Sequence, residues 1–319
     1  MNRGVLLLAA ALFVLMVAAA PAALLLGMPY LLSLFQKLAI LAIAAAGLNL
    51  VLGYAGLPAF GHGAFVGIGS YTVGILAAEA ADGALASAWL QFPLAALVAG
   101  LAAALIGAIS LRTRGVAFLM ITLAFGQMLY FGAVALERYG GDDGMIIVRA
   151  SAFGDFTLAR GFGSYVFTLA VLAVVLLLMY RVTRSPFGFV LRGAAANERR
   201  MLAVGVAVPS YRVGAFALSG AICGVAGVLW ANYTAFLSPA PLAWTWSVQL
   251  AVMVLLGGAG TLFGPLFGAA AFVLLEEVLT GALQPWRLDW HIVFGPLLLL
   301  VVLAAPGGIA GLLGRPQHG

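Results

Sequence analysis

The segment 47-GLNLVLGYAGLPAFGHGAFVGIGSY-71 decides the fold of this chain. It is apolar enough to enter a bilayer, yet seven of its residues are glycine and Pro58 sits in its middle. Glycine lets helix backbones approach closely or break inside a membrane, so the segment reads as an interrupted membrane helix. A second stretch of the same kind, 255-LLGGAGTLFGPLFGAAAF-272, occupies a comparable place in the other half of the chain. Paired glycine- or proline-interrupted apolar segments point to the midplane site of a transporter, because broken helices expose backbone dipoles there. The candidate path residues are therefore Asn49, Tyr54, Gly61, His62 and Tyr71 from the first segment, with Gly257, Gly258 and Gly260 from the second. Their structural alternatives are plain helix packing by the glycines and a buried, carbonyl-bonded imidazole for His62.

Outward from these segments the whole chain is greasy. Of its 319 residues 65% are hydrophobic, only 8% are charged, and the mean hydropathy is +1.16. Soluble domains carry roughly 45–50% apolar residues, and a membrane helix needs about 20 in a row. Apolar runs place spans near 5–26, 33–53, 58–78, 88–111, 115–136, 163–181, 211–233, 244–257, 263–280 and 290–305, the run at 244–257 being short enough to be re-entrant. The expected fold is an all-α, polytopic transmembrane bundle of about 8–10 spans with broken glycine-rich helices, forming one domain over residues 1–319. The N-terminal run also has the look of a signal peptide, with Arg3, an apolar core and small residues before Pro21. It continues apolar through Leu26, which favours a retained first span.

Basic residues stay on the cytoplasmic side. With the N-terminus inside, that side holds Arg3, Arg112, Arg114, Arg181, Arg184, Arg192, Arg199, Arg200, Arg212 and Arg315, against Arg138, Arg149, Arg160 and Arg287 opposite. The loop acids Glu79, Asp82, Glu137, Asp142, Asp143, Asp155 and Asp289 also fall opposite. Both termini are thus expected to be cytoplasmic, with an external loop at about 137–162. The net charge of +5 belongs to this asymmetry, since no basic stripe interleaved with aromatics suggests nucleic acid. Lys37, Glu276 and Glu277 fall near span ends, where they can snorkel.

Several chemistries have no anchor. Lys37 is the single lysine and Leu38 follows it, so there is no G-x-x-x-x-G-K-[ST] phosphate loop. Neither H-E-x-x-H nor G-x-S-x-G occurs, and the lone Cys223 supports no disulfide or cysteine-rich metal site. No enzyme, cofactor or metal centre is expected. Ion-coupled transport usually employs carboxylates deep in spans, whereas the acids here read as lying within about a turn of the span ends. Energy supplied from outside the chain is the better expectation.

The loop at about 182–210 is where such coupling would occur. From Arg181 to Arg212 it carries six arginines against Glu198 alone. Ser185 before Pro186 reads as a capped helix start, Asn197 as the cap of a second short helix, and Gly205 as its left-handed end. Glu198 to Val204 spans only about 10 Å at 1.5 Å per residue, and helices this short are marginal alone. With Met201, Leu202 and Val204 beside Arg199 and Arg200, it suits either a lipid surface or a groove in another protein.

Four blocks resemble the permease subunits of branched-chain amino-acid ABC importers of the LivM type. They are the 47–71 segment, 111-LRTRGVAFLMITLAFGQ-127, 139-YGGDDGM-145, and the run from 185-SPFGFVLRGAAANERRMLAVGV-206 through LSP at 239 to 254-VLLGGAGTLFGPLFGAA-270. The resemblance covers nearly the whole chain after the first helix. It implies a separate ATPase subunit whose cleft receives the cytoplasmic loop, so the protein groove is the implied fate. Arg192, Asn197, Glu198, Arg199, Arg200, Met201, Leu202 and Gly205 would then make the ATPase-coupling contact. Arg200 and Met201 replace a common alanine pair, and Leu57 and Pro58 replace a polar-containing pair. The implied assembly holds a homologous second permease, two ABC ATPase subunits and an external solute-binding protein in the bacterial inner membrane and its lipid. The implied substrate is leucine, isoleucine or valine, with urea or short-chain amides as the alternative within similar permeases. An autonomous secondary transporter and a non-transporting scaffold are the readings from other classes.

Overall fold

A computed structural model describes residues 8–18, 29–79, 85, 87–284, 293, 295–296 and 307–313. Its helices are α1 (Leu8–Ala18), α2 (Pro29–Asn49), α3 (His62–Glu79), α4 (Ala88–Ser110), α5 (Val116–Val134), α6 (Phe162–Arg184), α7 (Pro186–Ala203), α8 (Val208–Thr234), α9 (Trp244–Gly257), α10 (Gly264–Leu283) and α11 (Gly308–Leu313). A π-helical turn, Leu50–Tyr54, extends α2. Among the described residues six helices (α2 with its extension, α4, α5, α6, α8 and α10) are long and apolar enough to cross a membrane. The protein is a polytopic helical bundle. Most of the expected tenth span (290–305) lies outside the described residues. So do both ends of the expected first span (5–7 and 19–26) and Arg3, Asp82, Arg287, Asp289 and Arg315.

The bundle is built around α2 and α8. Within their apolar windows 72% and 61% of residues are buried, against 22% for α5, so α5 is a peripheral helix. The peripheral helices turn apolar side chains outward, among them Leu97, Leu101 and Leu105 on α4 and Met120 and Met128 on α5. Lipid tails are as apolar as leucine, so this surface carries no hydrophobic penalty in a bilayer, and helix association must come from close packing instead. The α3–α8 crossing is an example: a Cβ on Gly69 would lie 2.0 Å from the Gly224 carbonyl oxygen, and one on Gly227 2.0 Å from that of Val66. Only glycine permits this approach.

Sidedness follows from ion pairs between loops. Arg114, in the α4–α5 turn, lies 3.3 Å from Glu198 of α7, so that turn and α7 share a side. At the other side Arg138 pairs with Glu79 at the end of α3, and the Tyr139 hydroxyl donates to Glu79 at 2.9 Å. That hydrogen bond to a carboxylate raises the Tyr139 pKa above its ordinary value.

Among the described residues four two-residue strands interrupt the all-helical pattern that the sequence suggests. β1 (Met145–Ile146) pairs antiparallel with β4 (Phe236–Leu237), and β2 (Ala152–Phe153) with β3 (Phe156–Thr157). A buried polar knot fixes the 137–162 loop to the helices: Ser151 N–H donates to Asn232 Oδ1 at 2.8 Å, Asn232 Nδ2 donates to Ser151 Oγ at 2.7 Å, and Ser151 Oγ donates to Gln91 Oε1. Pairing is obligatory for polar groups at this depth.

α9 has 14 residues, about 21 Å at 1.5 Å per residue, too short to cross about 30 Å of hydrocarbon. The chain before it descends along α3: Leu237 packs on Gly74, Leu242 on Gly67, and the Pro241 carbonyl on Gly63. α9 therefore starts inside the bundle, in keeping with a re-entrant run.

Ser185 does precede Pro186 at the start of α7, but its hydroxyl donates backwards to the Val182 carbonyl at 2.7 Å and caps no amide. Glu276 also departs from expectation. α10 runs on to Leu283, so this acid lies seven residues from the helix end, where both of its oxygens accept from Lys37 Nζ at 2.9 Å. The two pair with each other across α2 and α10 rather than reaching separately for the interface.

Candidate functional site

The two glycine-rich breaks meet. Asn49, the last α-helical residue of α2 and buried, donates from Nδ2 to the Thr261 carbonyl at 2.8 Å and accepts the Gly260 N–H at 2.9 Å. One side chain thus satisfies a donor and an acceptor that an unwound segment would otherwise leave bare in the membrane. The Cα of Gly53 sits against the same loop, where a Cβ would lie 2.2 Å from the Gly260 nitrogen. Single π-turns such as 50–54 recur at functional sites. Beyond it Gly56 turns left-handed at φ +65° against Ala195 of α7, and Pro58 delays helix formation. The expected span at 58–78 accordingly becomes helical only at His62.

In the second break Gly258 and Gly260 have φ of +112° and +74°, a region that penalises side chains. Gly257 and Gly268 let α9 and α10 close on each other: a Cβ on Gly257 would stand 1.7 Å from the Gly264 oxygen, and one on Gly268 1.7 Å from the Met253 oxygen. Tyr54 lines one cavity with Gly260 and Thr261, so Asn49, Tyr54, Gly257, Gly258 and Gly260 form one neighbourhood.

Gly61, His62 and Tyr71 lie elsewhere. Gly61 packs on the Thr122 carbonyl of α5. α3 begins within the bundle with amides satisfied from other helices, Phe60 N–H by Thr122 Oγ1 at 3.2 Å and Gly63 N–H by Ser247 Oγ at 2.9 Å. His62 is fully buried, its Nε2 2.9 Å from Ser219 Oγ, which itself donates to the Gly47 carbonyl at 2.6 Å. Because the hydroxyl hydrogen is directed at Gly47, Ser219 accepts from His62, which assigns the Nε2–H tautomer and leaves Nδ1 an acceptor with no hydrogen-bond partner among the described residues. Phe65 and Phe216 flank the ring at 5.3 and 5.5 Å. Tyr71 is buried in a separate apolar cluster with Ile147 and Leu237, its hydroxyl without a hydrogen-bond partner among the described residues.

α7 is two helices joined at Asn197, whose backbone leaves helical values (φ −158°, ψ 94°). Asn197 Oδ1 accepts the Arg200 N–H at 3.0 Å, so it caps the second piece. Gly205 ends that piece at φ +85°: its N–H reaches the Leu202 carbonyl at 3.0 Å and the Val206 N–H the Met201 carbonyl at 3.1 Å, the two bonds of a Schellman motif. Glu198 faces inward, 3.3 Å from Arg114 and 3.1 Å from Arg212. Met201 folds back onto Gly193. Arg199, Arg200, Leu202 and Val204 are exposed, as is Phe189 on the first piece.

Arg192, also exposed, reaches across to α6. Its Nη2 donates to the Thr183 carbonyl of α6 at 3.1 Å, and it lines a cavity of about 350 Å³ together with Tyr54, Gly260 and Thr261. The break thus opens beside the first piece of α7. Ser219, Thr261, Thr122 and Ser247 were not singled out from sequence. Isolated hydroxyl residues in apolar spans are the signal they carry, and it is weak because serine and threonine also bond to their own helix.

A family model described as "Branched-chain amino acid transport system / permease component" matches residues 30–303. The chain is 30% identical over 299 residues to the high-affinity branched-chain amino acid transport system permease protein LivM of Salmonella typhimurium, covering 86% of this chain and 68% of that protein. It is 28% identical over 313 residues to the probable branched-chain amino acid transport permease protein LivM of Methanocaldococcus jannaschii, covering 84% and 89%. A shorter match, 30% identical over 154 residues, is to the autoinducer 2 import system permease protein LsrC of Klebsiella pneumoniae, covering 46% and 44%. No solved structure matches.

Proposed function

The chain belongs to the family of branched-chain amino acid transport system permease components, and from that premise we propose that it is one permease subunit of an ABC importer for leucine, isoleucine and valine. It pairs with a homologous second permease to form the translocation path, receives substrate from an external solute-binding protein, and is driven by two separate ATPase subunits. It sits in a bacterial inner membrane with both termini and α7 in the cytoplasm, the side richer in arginine.

The observation that carries this reading is the second piece of α7. Six residues long, it is capped at both ends and tethered by Glu198 to two arginines, while Leu202, Val204, Arg199 and Arg200 project outward. A short helix held rigidly with an apolar and basic outer face suits a groove in a partner protein. Glu198 then acts by holding the helix in place, and Leu202 and Val204 act as the apolar anchors. The path begins where Asn49 joins the two breaks, since bending either break moves the wall next to α7.

A specific observation favours the secondary-transporter reading: Lys37 and Glu276 form an ion pair between membrane helices, and ionisable groups there often carry coupling ions. One reconstitution separates the readings. The chain, its partner permease, the ATPases and the binding protein are placed in liposomes and uptake of radiolabelled leucine is followed. Uptake that needs both ATP and binding protein is expected. Gradient-driven uptake by this chain alone would replace the proposal with the secondary transporter. Uptake of urea or short-chain amides in place of leucine would reassign the substrate.

A further inference from the structure

We propose that the cavity between α6, α7 and the two breaks is a binding site for a phosphate-bearing anion, formed by Arg184 and Arg192. The cavity, about 350 Å³, has Tyr54, Tyr180, Thr183 and Thr261 among its walls. That volume falls within the roughly 300–1,000 Å³ of small-ligand pockets.

Two guanidinium groups share it, and each is anchored by a single hydrogen bond. Arg184 Nη1 donates to the Tyr180 hydroxyl at 2.8 Å, with the guanidinium 4.4 Å over that ring. Arg192 Nη2 donates to the Thr183 carbonyl at 3.1 Å. A guanidinium offers five N–H donors in a fixed fork, so most of the donors remain uncommitted. The threonine hydroxyls are already engaged, Thr183 with the Met179 carbonyl at 2.7 Å and Thr261 with the Gly258 carbonyl at 2.8 Å. Among the described residues no carboxylate lies within ion-pair distance of either arginine, and Glu198, the acid of the neighbouring helix, is occupied by Arg114 and Arg212.

Two arginines facing one cavity without a counter-charge are best neutralised by an anion held in bidentate fashion, for which arginine and phosphate geometry match. The location narrows the source. The site lies at the last turn of α6, which also carries Arg181, where a membrane helix leaves the bilayer. Basic pockets between helices at the cytoplasmic surface take anionic lipid headgroups. A free phosphate group presents the same chemistry.

The test uses purified full-length protein in two arms. In the first, protein equilibrated with mixed phosphatidylglycerol and phosphatidylcholine is examined by native mass spectrometry. The expected result is one retained phosphatidylglycerol, with retention weakened at least tenfold in Arg184→Gln/Arg192→Gln and unchanged in Arg181→Gln, whose side chain does not line the cavity. In the second arm, protein in pure phosphatidylcholine is titrated with inorganic phosphate by calorimetry. Saturable binding there that the double variant abolishes, without phosphatidylglycerol retention, supports the site and assigns it to a free phosphate. Should the double variant fail to fold, Arg184→Gln alone, which loses contact only with Tyr180, is read in both arms. Absence of binding in both arms, or equal binding by wild type and cavity variants, overturns the proposal. The outcome is independent of whether the chain transports amino acids.

Discussion

Replacing Asn49 by leucine removes the side chain whose hydrogen bonds join the two breaks among the described residues while keeping a similar volume. The Gly260 N–H and the Thr261 carbonyl lose partners at 2.9 and 2.8 Å. An unsatisfied buried polar group costs about 1–3 kcal/mol, so full burial of both would cost about 2–6 kcal/mol. Gly260 and Thr261 also line the cavity, from which water can reach them, and the lower figure of about 2 kcal/mol is the better guide. At 1.4 kcal/mol per factor of ten, that raises the population of loop-open states roughly thirtyfold. Hydrogen–deuterium exchange with peptide resolution is the assay. Amides at 258–263 should lose protection by about that factor, whereas those in the core of α8 should not change. Asn49→Asp keeps an acceptor for the Gly260 N–H but sets a carboxylate against the Thr261 oxygen, and its loop should open at least as far. Unaltered protection at 258–263 in a folded Asn49→Leu protein would refute the idea that this side chain holds the breaks together.

Other substitutions probe the remaining links. Glu198→Arg places a third positive charge among Arg114 and Arg212 and should release the second piece of α7, lowering the amount of ATPase subunit that co-purifies. Full recovery of the ATPase would count against the positioning role. Gly268→Val forces a side chain where even a Cβ would be 1.7 Å from the Met253 oxygen. It should separate α9 from α10 at well above the 1–3 kcal/mol typical of overpacking, read as loss of monodisperse protein in detergent, and a normal melting temperature would show that the helices can part without cost. Lys37→Met leaves Glu276 uncompensated between helices and should lower the melting temperature more than the double variant Lys37→Met/Glu276→Met. Because both groups are about a quarter exposed, solvent reduces the single-variant penalty below that of a fully buried pair. A double variant no more stable than the single one would show that the pair is not coupled.

Much of the architecture was legible because it rests on short-range physics. The length and composition of the apolar runs demanded membrane helices, and the described helices follow those runs closely from 29 to 283. Asn197 and Gly205 were readable for the same reason: a cap and a left-handed stop are settled by the backbone within about one turn. Ser185 failed as a cap although its position was right, since its hydroxyl had a competing carbonyl three residues behind it. The short strands were missed because β1 and β4 stand about ninety residues apart in sequence and gain their bonds only when the loop is tied down through Ser151, Gln91 and Asn232.

What the sequence determined by itself is where the chain enters the membrane, where its helices break and which loop carries the charge, for these depend on residues a few positions apart. Only the tertiary structure decided which partners meet. Asn49 finds Thr261 across 212 positions and Lys37 finds Glu276 across 239, while Glu198 and Met201 turn inward and leave Leu202 and Val204 outside. Such pairings depend on how each helix is rotated about its axis. In a chain whose helices are apolar on nearly every face, that rotation is set by glycine-to-backbone contacts between helices and not by a polar stripe written along any one of them.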